Sequence, residues 1–200
     1  DEGEAWEAEK VGGGWAYDKG EEMVPGPVGQ LADHTRLKPG AARAVGTMAL
    51  ENGGWSKKKD GSAINAPMRN VPGATSSSHS YKYSLAVLEP HARIPDQLKI
   101  AMVIRPLKDP TEVGVGNLLP VLVTIDGKPA ANIQLLDDYR GMLDVSSAKT
   151  DAEGKASIVV RNAGLSIIAA QAKVASIAEP DVSERSLFTS LTFVGAGHHH

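Results

Sequence analysis

Between residues 97 and 194 the apolar positions fall in short runs rich in Val and Ile, each bounded by Gly, Pro, Asn or Asp. Residues 97–105, 119–125, 133–136, 156–161, 165–170 and 187–194 are the clearest of them. Runs of that length and β-branched content, punctuated by turn formers, predict strands rather than helices. Asp126-Gly127 is a strong hairpin signal after residues 119–125, with residues 133–136 as the return strand. Thr150-Asp-Ala-Glu-Gly154 and Asn162-Ala-Gly164 are further turns, and residues 176–186 form a polar excursion before the last strand. About seven strands suffice for two packed sheets. The expectation is an all-β chain whose residues 97–195 form an immunoglobulin- or transthyretin-like sandwich. Its expected core is Leu122, Ile125, Ile133, Leu135, Ile158, Val160, Ile168, Leu191 and Phe193.

The first half is less regular. Residues 5–9 and 14–17 partly alternate, which predicts a hairpin turning at Gly12-Gly13. Residues 44–50 read as a strand, 51–54 as a turn and 55–61 as an exposed hairpin tip. Together, residues 1–61 are expected to form a small N-terminal β domain. Residues 62–96 are polar and broken by Pro and Gly, and read as an extended linker. Within it, residues 81–88 suit either a short helix or a strand. Residues 195–200 have the character of a linker and an affinity tag, so His198, His199 and His200 are set aside.

Composition narrows the function classes. Formal net charge is −3, against a general nucleic-acid binder. The 200 residues include no Cys, so there is neither a disulfide framework nor a thiolate metal site. With two Phe, three Trp and four Tyr, the core must be mostly aliphatic. No apolar run reaches the length of a membrane span, and membrane insertion is not expected.

Candidate chemistry is sparse. No nucleophile elbow, phosphate-cradling loop or His-x-x-x-His pair is present, so no catalysis is expected. Asp137 and Asp138 are adjacent, which would send them to opposite faces of a strand, and they read as loop residues. The acidic stretch 1–22 matches no calcium loop and reads as solvated surface. The remaining histidines are His34, His79 and His91, far apart in sequence. Trp6, Trp15 and Trp55 would suit a carbohydrate-binding sandwich if all three rings were exposed.

Several local motifs recur together. They are Gly54-Trp-Ser-Lys57, Asp60-Gly61, Asn65-Ala-Pro67, residues 71–77 (Val-Pro-Gly-Ala-Thr-Ser-Ser) and Tyr81-Lys-Tyr83. Residues 104–110 (Ile-Arg-Pro-Leu-Lys-Asp-Pro), Asp126-Gly-Lys-Pro-Ala130, Thr150-Asp-Ala-Glu-Gly154, Ala163-Gly164 and Ser190-Leu-Thr-Phe193 complete the set. In this combination the chain resembles domain-of-unknown-function family 4198, described as a periplasmic component of nickel and cobalt uptake. The resemblance implies a periplasmic Gram-negative protein with its signal peptide removed and two β domains. It implies handling of nickel, cobalt, copper or zinc, or service to an envelope transporter. Gly3, Lys19 and the segment 171–173 stand where other members carry His.

Two functions follow as expectations. The first is a non-catalytic binding or accessory protein of transition-metal uptake. The second is a metal-independent module that docks on an outer-membrane receptor or another envelope protein. A metal site is expected at the junction of the two modules, built from His79 and His91, with His34 or a carboxylate from residues 1–22 completing the shell. The interior of the C-terminal sandwich is excluded, because an unpaired polar ligand buried there would cost several kcal/mol.

Overall fold

The computed structural model describes residues 11–19, 21–23, 28–31, 34–37, 44–66, 68–137, 146–176 and 182–195. Its first half contains β1 (Val11–Asp18), β2 (Glu21–Met23), β3 (Val28–Leu31), β4 (His34–Leu37), β5 (Val45–Lys58), β6 (Ala63–Ile64) and β7 (Ala74–Val87). Then come β8 (Met102–Pro106), β9 (Leu118–Ile125), β10 (Lys128–Pro129), β11 (Gln134–Leu136), β12 (Ser146–Lys149), β13 (Lys155–Val159), β14 (Leu165–Ala175) and β15 (Glu184–Val194). Among the described residues there is no α-helix, only one 3₁₀ turn at Met68–Asn70. Among the described residues no helix is long and apolar enough to cross a membrane.

A nine-stranded sheet runs β12-β11-β14-β15-β7-β5-β1-β2, with β6 also paired to β5. A four-stranded sheet places β8 on β9, with β13 and β10 also on β9. β3 and β4 form a separate two-stranded sheet. The two larger sheets pack as a sandwich, and alternation decides what fills it. Leu119, Val121 and Val123 of β9 meet Tyr83, Leu85 and Val87 of β7 and Leu187, Leu191 and Phe193 of β15 in one aliphatic core. Thr189 is buried among them, and its hydroxyl donates to the Met102 carbonyl at 2.8 Å, so this buried polar group is satisfied across the sheets.

Six of the nine expected core residues, Leu135, Ile158, Val160, Ile168, Leu191 and Phe193, are buried. Ile125 and Ile133 pack partly buried against the core. Leu122 does not belong to it: the inward row of β9 is the odd-numbered one. The run is apolar at both parities, so its pattern could not choose a face.

Other expectations change with pairing. The run 74–87, expected as linker and ambiguous element, is one strand between β5 and β15, so strands from both sides of residue 96 share one sheet. Ser76, Ser78, Ser80 and Ser84 alternate on the outer face, where polarity is no obstacle to a strand, while Ser77 is buried on the inward row. Gly12 and Gly13 do not turn; β1 continues through them, with a register shift against β5 between Val11 and Gly13. Gly13 is required by close approach, since a Cβ there would stand 2.4 Å from the Trp15 ring. Residues 51–54 make a bulge inside β5, with a register shift between Glu51 and Gly54, rather than a turn. Asp126 and Gly127 do form the hairpin, at φ 50° and 78°. Its return strand is the short β10, and residues 134–136 have already crossed to the other sheet, between β12 and β14.

Candidate functional site

The chain leaves the sheet at Val87 and turns through His91, which adopts φ 58°, a left-handed conformation that His tolerates better than most residues. That turn brings its backbone N–H onto Asp109 Oδ2 at 2.6 Å. Asp109 lies just past β8, between Pro106 and Pro110, where pairing cannot continue. Its other oxygen accepts from the Thr111 N–H at 3.0 Å and the Thr111 hydroxyl at 2.7 Å, an Asx turn that fixes the carboxylate. The imidazole of His91 then sits between two acids. Nδ1 is 3.6 Å from Asp109 Oδ2, and Nε2 is 3.1 Å from Glu112 Oε1.

Burial disfavours the ionised Asp109, but the amide of His91, the hydroxyl and amide of Thr111 and the charge of His91 outweigh it, holding the carboxyl below its usual range. It is therefore a carboxylate at neutral pH. One donor atom each from His91, Asp109 and Glu112 lie within 4.8 Å of one another. Ligands of a single ion, at bonds of about 2.1 Å, lie within about 4.2 Å of one another. Glu112, 58% exposed, is free to make up that difference. An imidazole with two carboxylates suits a borderline divalent ion such as nickel, cobalt or zinc. A cavity of about 310 Å³ adjoins the cluster, lined by His91 and Asp109 and by Val87, Ile94, Arg105 and Lys108 among others. Arg105 anchors its wall, donating to the carbonyls of Pro95 at 2.8 Å and Asp96 at 3.1 Å.

The expected three-histidine site is not assembled. His79 lies on β7, eight residues before Val87, a strand distance of roughly 26 Å. Its Nε2 is 2.6 Å from Glu51 Oε1, and its Nδ1 is 3.1 Å from the Tyr81 hydroxyl, with the two rings stacked at 4.4 Å. His34 is in β4, opposite Leu31; its side chain lies outside the described residues. Of the acidic N-terminal stretch, Glu22 pairs with Lys99 at 2.8 Å, and residues 1–10 lie outside the described residues. Trp15 packs against the core while Trp55 is exposed, so these two rings do not form a common platform; Trp6 is outside the described residues. Asp137 is buried and held by Arg161 at 2.8 Å; Asp138 is outside the described residues.

Asp109 and Glu112 are the members of this cluster that the sequence pattern does not single out. Residues 106–117 read only as a break and a loop. The signal was Asp109-Pro-Thr111, an Asx-turn sequence with an acid one residue beyond it.

No curated protein and no solved structure matches the chain. One family does match, over residues 8–174, and that span makes the chain a member of the family described as Domain of unknown function (DUF4198).

Proposed function

We propose that this protein is a non-catalytic periplasmic binding or accessory protein of transition-metal uptake, holding a divalent ion at His91, Asp109 and Glu112. The observation that carries the reading is the convergence of those three donor atoms within 4.8 Å on a loop at the open end of the sandwich. The fixed, ionised Asp109 supports it, because a ligand already deprotonated and oriented loses little on binding. Calorimetry with nickel, cobalt, copper and zinc tests it, on protein from which His198, His199 and His200 have been removed. One ion per chain at micromolar affinity is expected, weakened at least tenfold by His91→Ala. Silence for all four ions, or affinity unchanged in His91→Ala, overturns it.

A second reading, a metal-independent docking module of the cell envelope, draws on the rim of the same end. Leu88, Leu107, Leu118, Leu165 and Val194 are all exposed. Leu165 stands opposite Val194, Leu118 opposite Val159, and the Leu107 N–H bonds the Pro120 carbonyl, which groups them where β7, β9 and β15 meet that end. Pull-down from envelope extract with and without EDTA separates the readings. A partner retained in EDTA and lost in Leu118→Asp favours docking without metal.

A further inference from the structure

We propose that the site takes its ion as a complex with a small carboxylate chelator seated in the adjoining cavity, rather than as the bare ion. The inference rests on the reading of His91, Asp109 and Glu112 as a cation site and adds the form in which the cation arrives.

Three features of the molecule point to it. The first is ligand count. Three protein donors leave about three positions open on a six-coordinate ion. Asp109 has both oxygens engaged by hydrogen bonds and cannot also swing to chelate. Something else must complete the shell.

The second is room. Water molecules filling three positions need about 90 Å³ of liquid volume. The cavity measures about 310 Å³, at the lower end of small-molecule sites. Its lining sets the apolar side chains of Val87, Ala92, Ile94 and Leu107 beside the polar groups of His91, Arg105, Lys108 and Asp109, a mixture that suits a ligand with a carbon skeleton and charged ends.

The third is charge. Asp109 and Glu112 together neutralise a divalent ion. The cavity also carries Arg105 and Lys108, with Asp109 as its one carboxylate. The guanidinium of Arg105 is fixed by the carbonyls of Pro95 and Asp96, so its charge is placed before any ligand arrives. A cavity with two cations beside a neutralised metal favours an anionic ligand, whose carboxylates would join the ion on one side and face Arg105 and Lys108 on the other.

The probe is nickel, alone and as its preformed one-to-one complex with iminodiacetate, which fills three positions and leaves three for the protein. Titrations are compared in the protein without its terminal histidines. The complex is expected to bind at least tenfold more tightly than nickel alone. Lys108→Gln and, separately, Ala92→Leu, which fills part of the cavity and removes no donor atom, should each remove most of that gain. Both should leave affinity for nickel alone within about threefold. His91→Ala should weaken both titrants. If nickel binds through His91 but the complex binds no more tightly, the chelate inference falls and the metal site stands. A gain that survives both Lys108→Gln and Ala92→Leu also overturns it, because the cavity then contributes nothing. If neither titrant binds, both readings fall together.

Discussion

The two ends of the sandwich hold the same chemistry in opposite states. At one end, His79, Glu51, Tyr81 and Tyr83 line up on β5 and β7, and Arg185 reaches from β15 to Asp126 in the β9–β10 hairpin at 2.6 Å. Every one of these groups stands on a strand or in a two-residue turn, and the imidazole nitrogens lie 2.6 Å from Glu51 Oε1 and 3.1 Å from the Tyr81 hydroxyl. At the other end, His91, Asp109 and Glu112 stand on loops, and the imidazole is 76% exposed. An imidazole beside acids is therefore not a site by composition. Where strand register sets the spacing, the groups satisfy one another; where loops set it, they can converge and still face outward.

Core substitutions give the largest test of whether the ends differ in packing or only in surface chemistry. Leu187 is opposite Tyr81 under the closed end, and Phe193 is opposite Val87 under the open end, both fully buried. Phe193→Ala should cost about 3–5 kcal/mol and Leu187→Ala about 2–5 kcal/mol in urea unfolding. Similar losses place the difference in the loops. A Phe193→Ala loss below about 1 kcal/mol would mean that the open end is loosely packed as well, and the comparison would fail there.

The two ends also predict different pH behaviour. Burial pushes the Tyr83 phenol up to about 12; Arg185 opposes the rise, while Asp126 and Glu51 add to it. A group raised above its ordinary value of 10.0 favours its neutral form in the folded state. Its contribution is complete below pH 10 and is lost as pH rises toward 12, at roughly 1.4 kcal/mol per pH unit inside that window. Tyr83→Phe should flatten the fall in urea midpoint between pH 10 and 11 while leaving binding at His91 unchanged. An equal fall in both proteins would show that the closed end does not control alkaline unfolding.

These contrasts explain what the sequence could and could not disclose. Strand runs with one polar face, such as 156–160, announce their element and most of their core. So does Asp126-Gly127, because its turn needs only two residues. Residues 74–80 hid a central strand, since the row that continues Tyr83, Leu85 and Val87 carries Thr75, Ser77 and His79 there rather than apolar residues. The candidate site depended on a contact between residue 91 and residues 109–112. No local pattern encodes that contact, and only the lone Asx-turn sequence hinted that Asp109 was held in place. His79 looked as good a ligand as His91 because nothing local revealed that the bulge at Glu51 would bring an acid to it.

Arg105 offers an intermediate test confined to the open end. Its guanidinium holds the carbonyls of Pro95 and Asp96, which shape the loop after His91. Arg105→Ala should cost about 1.5–3 kcal/mol, the range for hydrogen bonds to a charged group. Hydrogen exchange should quicken at the amide of His91 and not at that of Tyr81. Equal acceleration at both would mean that Arg105 supports the whole fold.

The smallest effect discriminates best, because it asks the two histidines directly. The His79 side chain is 14% exposed, and removing it takes away the Nδ1 contact to the Tyr81 hydroxyl and one of the rings stacked on Tyr81. His79→Ala should therefore cost about 1–2 kcal/mol. His91 gives its backbone N–H to Asp109, and that bond survives truncation of the side chain. Its exposed ring makes only surface ion pairs, which contribute little, so His91→Ala should change stability by no more than about 0.5 kcal/mol. Chemical unfolding at neutral pH without metal measures both. In the presence of the ion the order should reverse: nickel should raise the urea midpoint of wild type and of His79→Ala alike, and fail to raise that of His91→Ala. If His91→Ala is as destabilising as His79→Ala without metal, the imidazole at the open end is a structural strut like its counterpart. The contrast between an engaged end and an available one would then no longer hold.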